Sequence, residues 1–149
     1  NMPERFDLTC VNEEGAHERI VMIHAAIMGS IERFLSILIE HTAGHFPLWL
    51  APEQIRILPI GERHQEYAAA VARDLTQAGL RVSVDASSES LGKRIRNAKV
   101  GKLPYLVVVG DKEMEEGMLS VESRTQGQIG ALTSASFVDT LLQEISEKR

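Results

Sequence analysis

The 149-residue chain predicts an α/β fold: a mixed, mainly parallel central sheet with flanking helices, preceded by a β-hairpin and a helix of a separate unit. Three observations carry this expectation. From Glu53 onward, short apolar runs alternate with helical patterns. Each of the first parallel runs ends in turn or polar chemistry, at Gly61, Asp85 and Gly110. Before Phe46 the pattern differs, with strand-like alternation, a turn and one strongly apolar helix.

Taken in order, Phe6, Leu8 and Cys10 alternate with polar residues, and Asn12-Glu13-Glu14-Gly15 supplies a turn. Ile20-Val21-Met22-Ile23 reads as the return strand, apolar on both faces and therefore central to a sheet. Ser30 is an N-cap for a helix carrying Phe34, Leu35, Ile37, Leu38 and Ile39, apolar around most of its circumference and expected to be buried on more than one side. Gly44 ends it. Phe46 to Pro52 reads as an irregular linker pinned by Pro47 and Pro52. These boundaries divide the chain into residues 1–45, a linker 46–52 and a domain 53–149.

Within that domain, Ile55 to Ile60 reads as a strand and Gln65 to Ala78 as an Ala-rich helix stopped by Gly79. Leu80 to Val84 is a strand, Leu91 to Lys99 a short basic helix and Tyr105 to Val109 an apolar strand. Met118 to Ser123 and Gln128 to Leu132 add edge strands, and Ser136 to Glu147 closes the domain as a helix.

The net charge of −5 excludes a generic polyanion binder, because non-specific nucleic-acid affinity rests on clustered Lys and Arg. Any RNA contact has to be a local basic patch, and neither DNA nor a membrane is an expected partner. The one dense positive run is Lys93, Arg94, Arg96, Lys99 and Lys102. A single cysteine, Cys10, excludes an internal disulfide framework and suits a reducing, cytoplasmic setting. No apolar run reaches bilayer length.

Gly29-Ser30-Ile31-Glu32-Arg33-Phe34, Phe46-Pro47-x-Trp49-Leu50-Ala51-Pro52, Ala78-Gly79-Leu80-Arg81-Val82, Gly92-x-x-Ile95-Arg96 and Leu103-Pro104-Tyr105 with Val109-Gly110-Asp111-Lys112-Glu113 together resemble the C-terminal part of the threonyl-tRNA synthetases, over essentially the whole chain. The resemblance implies that residues 1–45 end a class II catalytic domain and 53–149 form an anticodon-binding domain. It implies threonine tRNA, through its anticodon loop, as partner, and ATP-dependent threonylation by the full enzyme. Arg33 matches the motif 3 arginine that contacts ATP phosphates, and His24 matches a zinc ligand. Glu113 and Arg124 match anticodon-reading positions, with Arg96 and Lys93 as backbone contacts. ATP, Mg and Zn are implied for the full enzyme. None is expected on this chain, where His24 lacks partner ligands and the other synthetase motifs are missing, so no aminoacylation is expected from it alone. The full enzyme is expected to be a homodimer, with a monomer open to this chain.

Four positions depart from the family pattern: Ala25 for an arginine, Ser87-Ser88 for Arg-Asn, and Glu122 for an arginine. They motivate a rival reading, a stand-alone anticodon-domain paralogue acting as a binding or regulatory module. A second rival is a flavodoxin-like domain binding a small anion at its strand ends.

Overall fold

The computed structural model describes residues 2–148; the outermost residues of the expected domains, Asn1 and Arg149, lie outside them. The chain divides into two compact units, Asn1–Leu38 and Ile39–Arg149.

The first unit opens with a short helix α1 (Met2–Arg5) and a hairpin of β1 (Thr9–Val11) and β2 (His17–Arg19), paired antiparallel. Its turn is held as the sequence suggested: the Asn12 side chain accepts from the Glu14 and Ala16 N–H groups at 3.1 and 2.9 Å, and Gly15 takes φ +77°. The expected return strand Ile20–Ile23 is not formed. Beyond the Thr9–Arg19 pair only the Ile20 N–H continues, donating to the Leu8 carbonyl at 3.2 Å, and Val21 and Ile23 are 90% and 89% exposed. An apolar run of that kind becomes a strand only between neighbouring strands, and none lies beside it among the described residues.

Helix α2 (Ile31–Thr42) crosses the division between the units. It forms where the apolar spacing places it, but none of its residues is buried, against the expectation of burial on more than one side. Its end is a left-handed stop at Ala43 (φ +49°) and Gly44 (φ +75°), with the Gly44 N–H returning to the Ile39 carbonyl at 3.1 Å.

The second unit is a five-stranded sheet in the order β4-β3-β5-β6-β7: β3 (Ile55–Pro59), β4 (Val82–Val84), β5 (Tyr105–Val109), β6 (Met118–Ser123) and β7 (Gly127–Thr133). β3 runs parallel to β4 and β5, while β6 and β7 join antiparallel, as the order of apolar runs predicts. Helices α3 (Gln65–Gln77), α4 (Leu91–Val100) and α6 (Ser134–Ser146) flank it. A sixth helix, α5 (Asp111–Glu116), lies where the sequence reading placed only a strand exit.

Period-two alternation decides the two faces. Ile55, Ile57, Tyr105, Val107, Val109, Leu119 and Val121 meet Ala68, Val71 and Leu75 of α3 and Phe137 and Leu141 of α6 in the main core. On the opposite face Leu106 packs with Ala98, Ile95 and Leu103, which seats α4 there. Phe46–Pro52, read as a linker, is packed into this unit: Leu48 and Ala51 are buried, and Arg81 donates to the Ala51 and Trp49 carbonyls at 2.8 and 2.9 Å. Gln54, 1% exposed, completes the joint by donating to the Leu48 carbonyl and accepting from the Arg81 N–H.

Candidate nucleic-acid interface

The β3–α3–β4 and β4–α4–β5 connections leave in opposite directions, so the carboxyl ends of β3 and β5 mark a point where the sheet reverses its winding. Parallel sheets open a crevice there. The two exits are tied together. His64, 2% exposed, accepts the Gly61 N–H at its Nδ1 (3.0 Å). That leaves Nε2 to donate to Asp111 Oδ1 at 3.0 Å. Arg63 bonds the other oxygen of Asp111. The His64 hydrogen bond, and then the Arg63 charge, hold the Asp111 carboxyl below its usual range. Gly110 lies so close to the β3 exit that a Cβ there would meet Ile60 Cδ1 at 2.6 Å.

Asp85, at the end of β4, sits beside this edge. Burial pushes its carboxyl up, but Ser87 hydrogen bonds and the charges of Arg94 and Arg56 outweigh that and leave it below the ordinary range. Its Oδ1 accepts the Ser87 N–H at 2.9 Å, a local turn. With Gly61, Glu62, Ser87, Ser88 and Arg94 it lines a cavity of about 300 Å³.

The positive run is less available than its composition suggests. Arg94 is buried and donates to the Asp85 and Pro59 carbonyls at 3.1 and 2.8 Å, so it is part of the scaffold. Lys93 pairs at 2.6 Å with Glu89, four residues earlier and just ahead of the α4 N-terminus. Lys99 pairs with Glu122 of β6 at 2.6 Å, and Lys102 donates to the Ala43 carbonyl. Arg96 is exposed and, among the described residues, has no polar partner.

Beyond α4 the same sheet face is open. Val108 pairs with Ser120, Leu106 with Glu122, and Glu122 with Gln128, so these side chains form rows across β5, β6 and β7. Ser120 and Glu122 are half-buried and Gln128 is exposed, with Gln128 donating to Ser120 Oγ at 3.2 Å. Next to this strip lies a cavity of about 240 Å³, floored by Leu103 and Leu106 and rimmed by His45, Lys99, Glu122 and Arg124.

The sequence-predicted residues are thus distributed unevenly. Arg96, Lys93 and the Lys99–Glu122 pair share α4 and its border. Glu113, at the third position of α5, returns Oε2 to the Gly110 N–H at 2.9 Å, capping the helix. Arg124 donates to the Lys102 and Phe46 carbonyls at 2.5 and 2.8 Å, which clamps the segment before Leu48 to the sheet. Burial makes its guanidinium a weaker base than usual, and Glu144 opposes that. His24 and Arg33 belong to the first unit, both exposed. Among the described residues no three His, Cys, Asp or Glu side chains gather as a metal site, so a single imidazole at His24 does not fit zinc. His64 was missed by the sequence reading; Gly61-x-x-His64 at a strand exit is the only local signal for it.

Comparison with known proteins agrees with this geometry. The family described as "Anticodon binding domain" matches residues 54–144. Threonine–tRNA ligases are similar along the chain: that of Syntrophomonas wolfei is 53% identical over 147 residues, 99% of this chain and 23% of its own length. That of Thermus thermophilus is 48% identical over 149 residues, 100% of this chain and again 23% of its own. The chain therefore spans about a quarter of the length of the curated relatives it matches. Among solved structures, the RNA binding domain of threonyl-tRNA synthetase from Cryptosporidium parvum Iowa II has a TM-score of 0.76 at 34% identity, over 96% of this chain and 36% of that one. The five-stranded sheet, its helices and the match to residues 54–144 place this chain in the anticodon binding domain family, in the form carried by threonine–tRNA ligases.

Proposed function

We propose that the second unit binds the anticodon loop of threonine tRNA, and that it does so for a threonine–tRNA ligase whose remaining part carries out ATP-dependent threonylation. The observation that carries this reading is the open, polar strip of Ser120 and Gln128, beside the Lys99–Glu122 pair and bordered by α4 and Arg96. A single-stranded loop with splayed bases needs such a surface: hydrogen-bonding groups on a rigid sheet, with cationic side chains at one margin for phosphates.

In this reading Arg96 contacts the RNA backbone directly, and Lys93 does so by exchanging Glu89 for phosphate. Glu113 keeps one carboxylate oxygen for a base once the other has capped α5. Arg124 acts by holding the segment around Phe46 beside the strip. In the whole ligase Arg33 would hold ATP phosphate oxygens, and magnesium would supply counter-charge to them. Zinc requires ligands beyond His24. A cytoplasmic, homodimeric ligase is part of the same proposal. The stand-alone module is the second reading, favoured by the internal neutralisation of Lys93 and Lys99.

The test is fluorescence anisotropy with a labelled anticodon stem–loop of a threonine tRNA at low salt. Saturable binding that weakens in Arg96→Ala supports the proposal. No binding at low salt overturns it and leaves the stand-alone module.

A further inference from the structure

We infer that Glu122 is a built-in competitor of nucleic-acid phosphate: it occupies the Lys99 ammonium at the border of the open strip and holds RNA affinity down. The inference rests on the proposed RNA-binding reading and adds a residue that sets its strength.

The geometry is direct. Lys99 Nζ lies 2.6 Å from Glu122 Oε1, with the lysine side chain 56% exposed and the carboxylate 25% exposed. Glu122 is the penultimate residue of β6, just past a register irregularity after Val121, and is paired with Leu106 on one side and Gln128 on the other, so its carboxylate stays at the strip. Lys99 stands in the last turn of α4, where a cation is favoured by the helix dipole. The two face each other at the rim of the 240 Å³ cavity, beside His45 and Arg124.

An incoming phosphate gains the ammonium only by displacing a carboxylate that the fold supplies at high local concentration. It also approaches the negative charge it has displaced, and like charges brought together at an interface oppose association. Removing the carboxylate's charge while keeping its shape frees one cation. Each phosphate newly neutralised on a single strand steepens the salt dependence by about 0.7 in log K against log salt.

The experiment measures anisotropy of two labelled probes, the threonine anticodon stem–loop and an oligouridylate of equal length, against the full chain over a salt series. Glu122→Gln is expected to bind both probes about 3- to 10-fold more tightly at low salt, with a slope steeper by about 0.7. Lys99→Ala alone is expected to change affinity by less than about 2-fold, and adding it to Glu122→Gln should abolish the gain. Thermal melting confirms that each variant is folded. Unchanged or weaker binding in Glu122→Gln, at an unchanged slope, overturns the inference. A gain on oligouridylate without any preference for the stem–loop upholds the competitor and overturns the anticodon reading.

Discussion

His64 Nε2 and Asp111 Oδ1, from segments 47 residues apart in sequence, lie 3.0 Å apart and fasten the exits of β3 and β5 to each other. The bond puts a buried imidazole and a solvent-facing carboxylate at the place where the sheet reverses its winding. It makes the loop geometry at this edge a property of the scaffold.

Its pH dependence follows from the sign of the shift. Asp111 is held below the usual aspartate value of 3.8, first by the His64 hydrogen bond and then by Arg63, so the folded state binds its proton more weakly than the unfolded chain does. The stabilisation is therefore present above pH 3.8 and is lost as pH falls through the lower, folded value. Thermal melts of Asp111→Asn should show a lower Tm at neutral pH and a smaller fall in Tm below pH 4 than the parent. Parallel curves would contradict this.

Gly110 tests the close approach of the same two exits. Its backbone is extended, so an alanine is conformationally allowed, but the new Cβ would meet Ile60 Cδ1 at 2.6 Å. Ile60 is half exposed and its far methyl can swing away. Gly110→Ala should cost about 1 kcal/mol in urea unfolding, and Gly110→Val about 2–3 kcal/mol. Adding Ile60→Ala should remove much of the alanine penalty. Equal penalties with and without Ile60 would locate the clash elsewhere.

Two arginines two residues apart on α4 should separate stability from binding. Arg94→Ala removes donors from two carbonyls at the edge and should cost about 2–3 kcal/mol. Arg96→Ala should change stability by less than about 0.5 kcal/mol and weaken RNA binding. Chemical denaturation and anisotropy on the same samples read both effects. A loss of stability in Arg96→Ala would remove it from the interface.

The segment Phe46–Pro52 should behave as part of the domain. Gln54→Ala leaves the Leu48 carbonyl and the Arg81 N–H without their buried partner and should cost about 2 kcal/mol. Limited proteolysis should then cut within 46–52 in the variant earlier than in the parent. Equal cutting rates would make the segment a tether.

The elements of the second unit were legible because each carries its own period and its own stop. Tyr105–Val109 and Met118–Ser123 fall at the expected residues, and α3 ends before Gly79 at φ +87°. Ile20–Ile23 was misread because an apolar run does not reveal whether neighbouring strands exist. Helix α5 was missed because six residues following Gly110 carry no full helical period, although Glu113 three positions after Gly110 was a capping signal.

At the interface, the charge run was legible and its neutralisation was not. Arg94 shares a helix face with Ala98, which hinted at burial, but the partners of Lys99 and Lys102 come from Glu122 and Ala43, distant in sequence. The roles of Glu113 and Arg124 as a helix cap and a clamp likewise depend on tertiary approach.

If this surface reads an anticodon, as proposed, it distinguishes the threonine anticodon stem–loop from the same stem–loop with its anticodon bases exchanged, in competition at fixed salt. Binding of the threonine sequence should be at least about tenfold tighter, the scale of one lost base contact. Equal affinity for the two loops would contradict it.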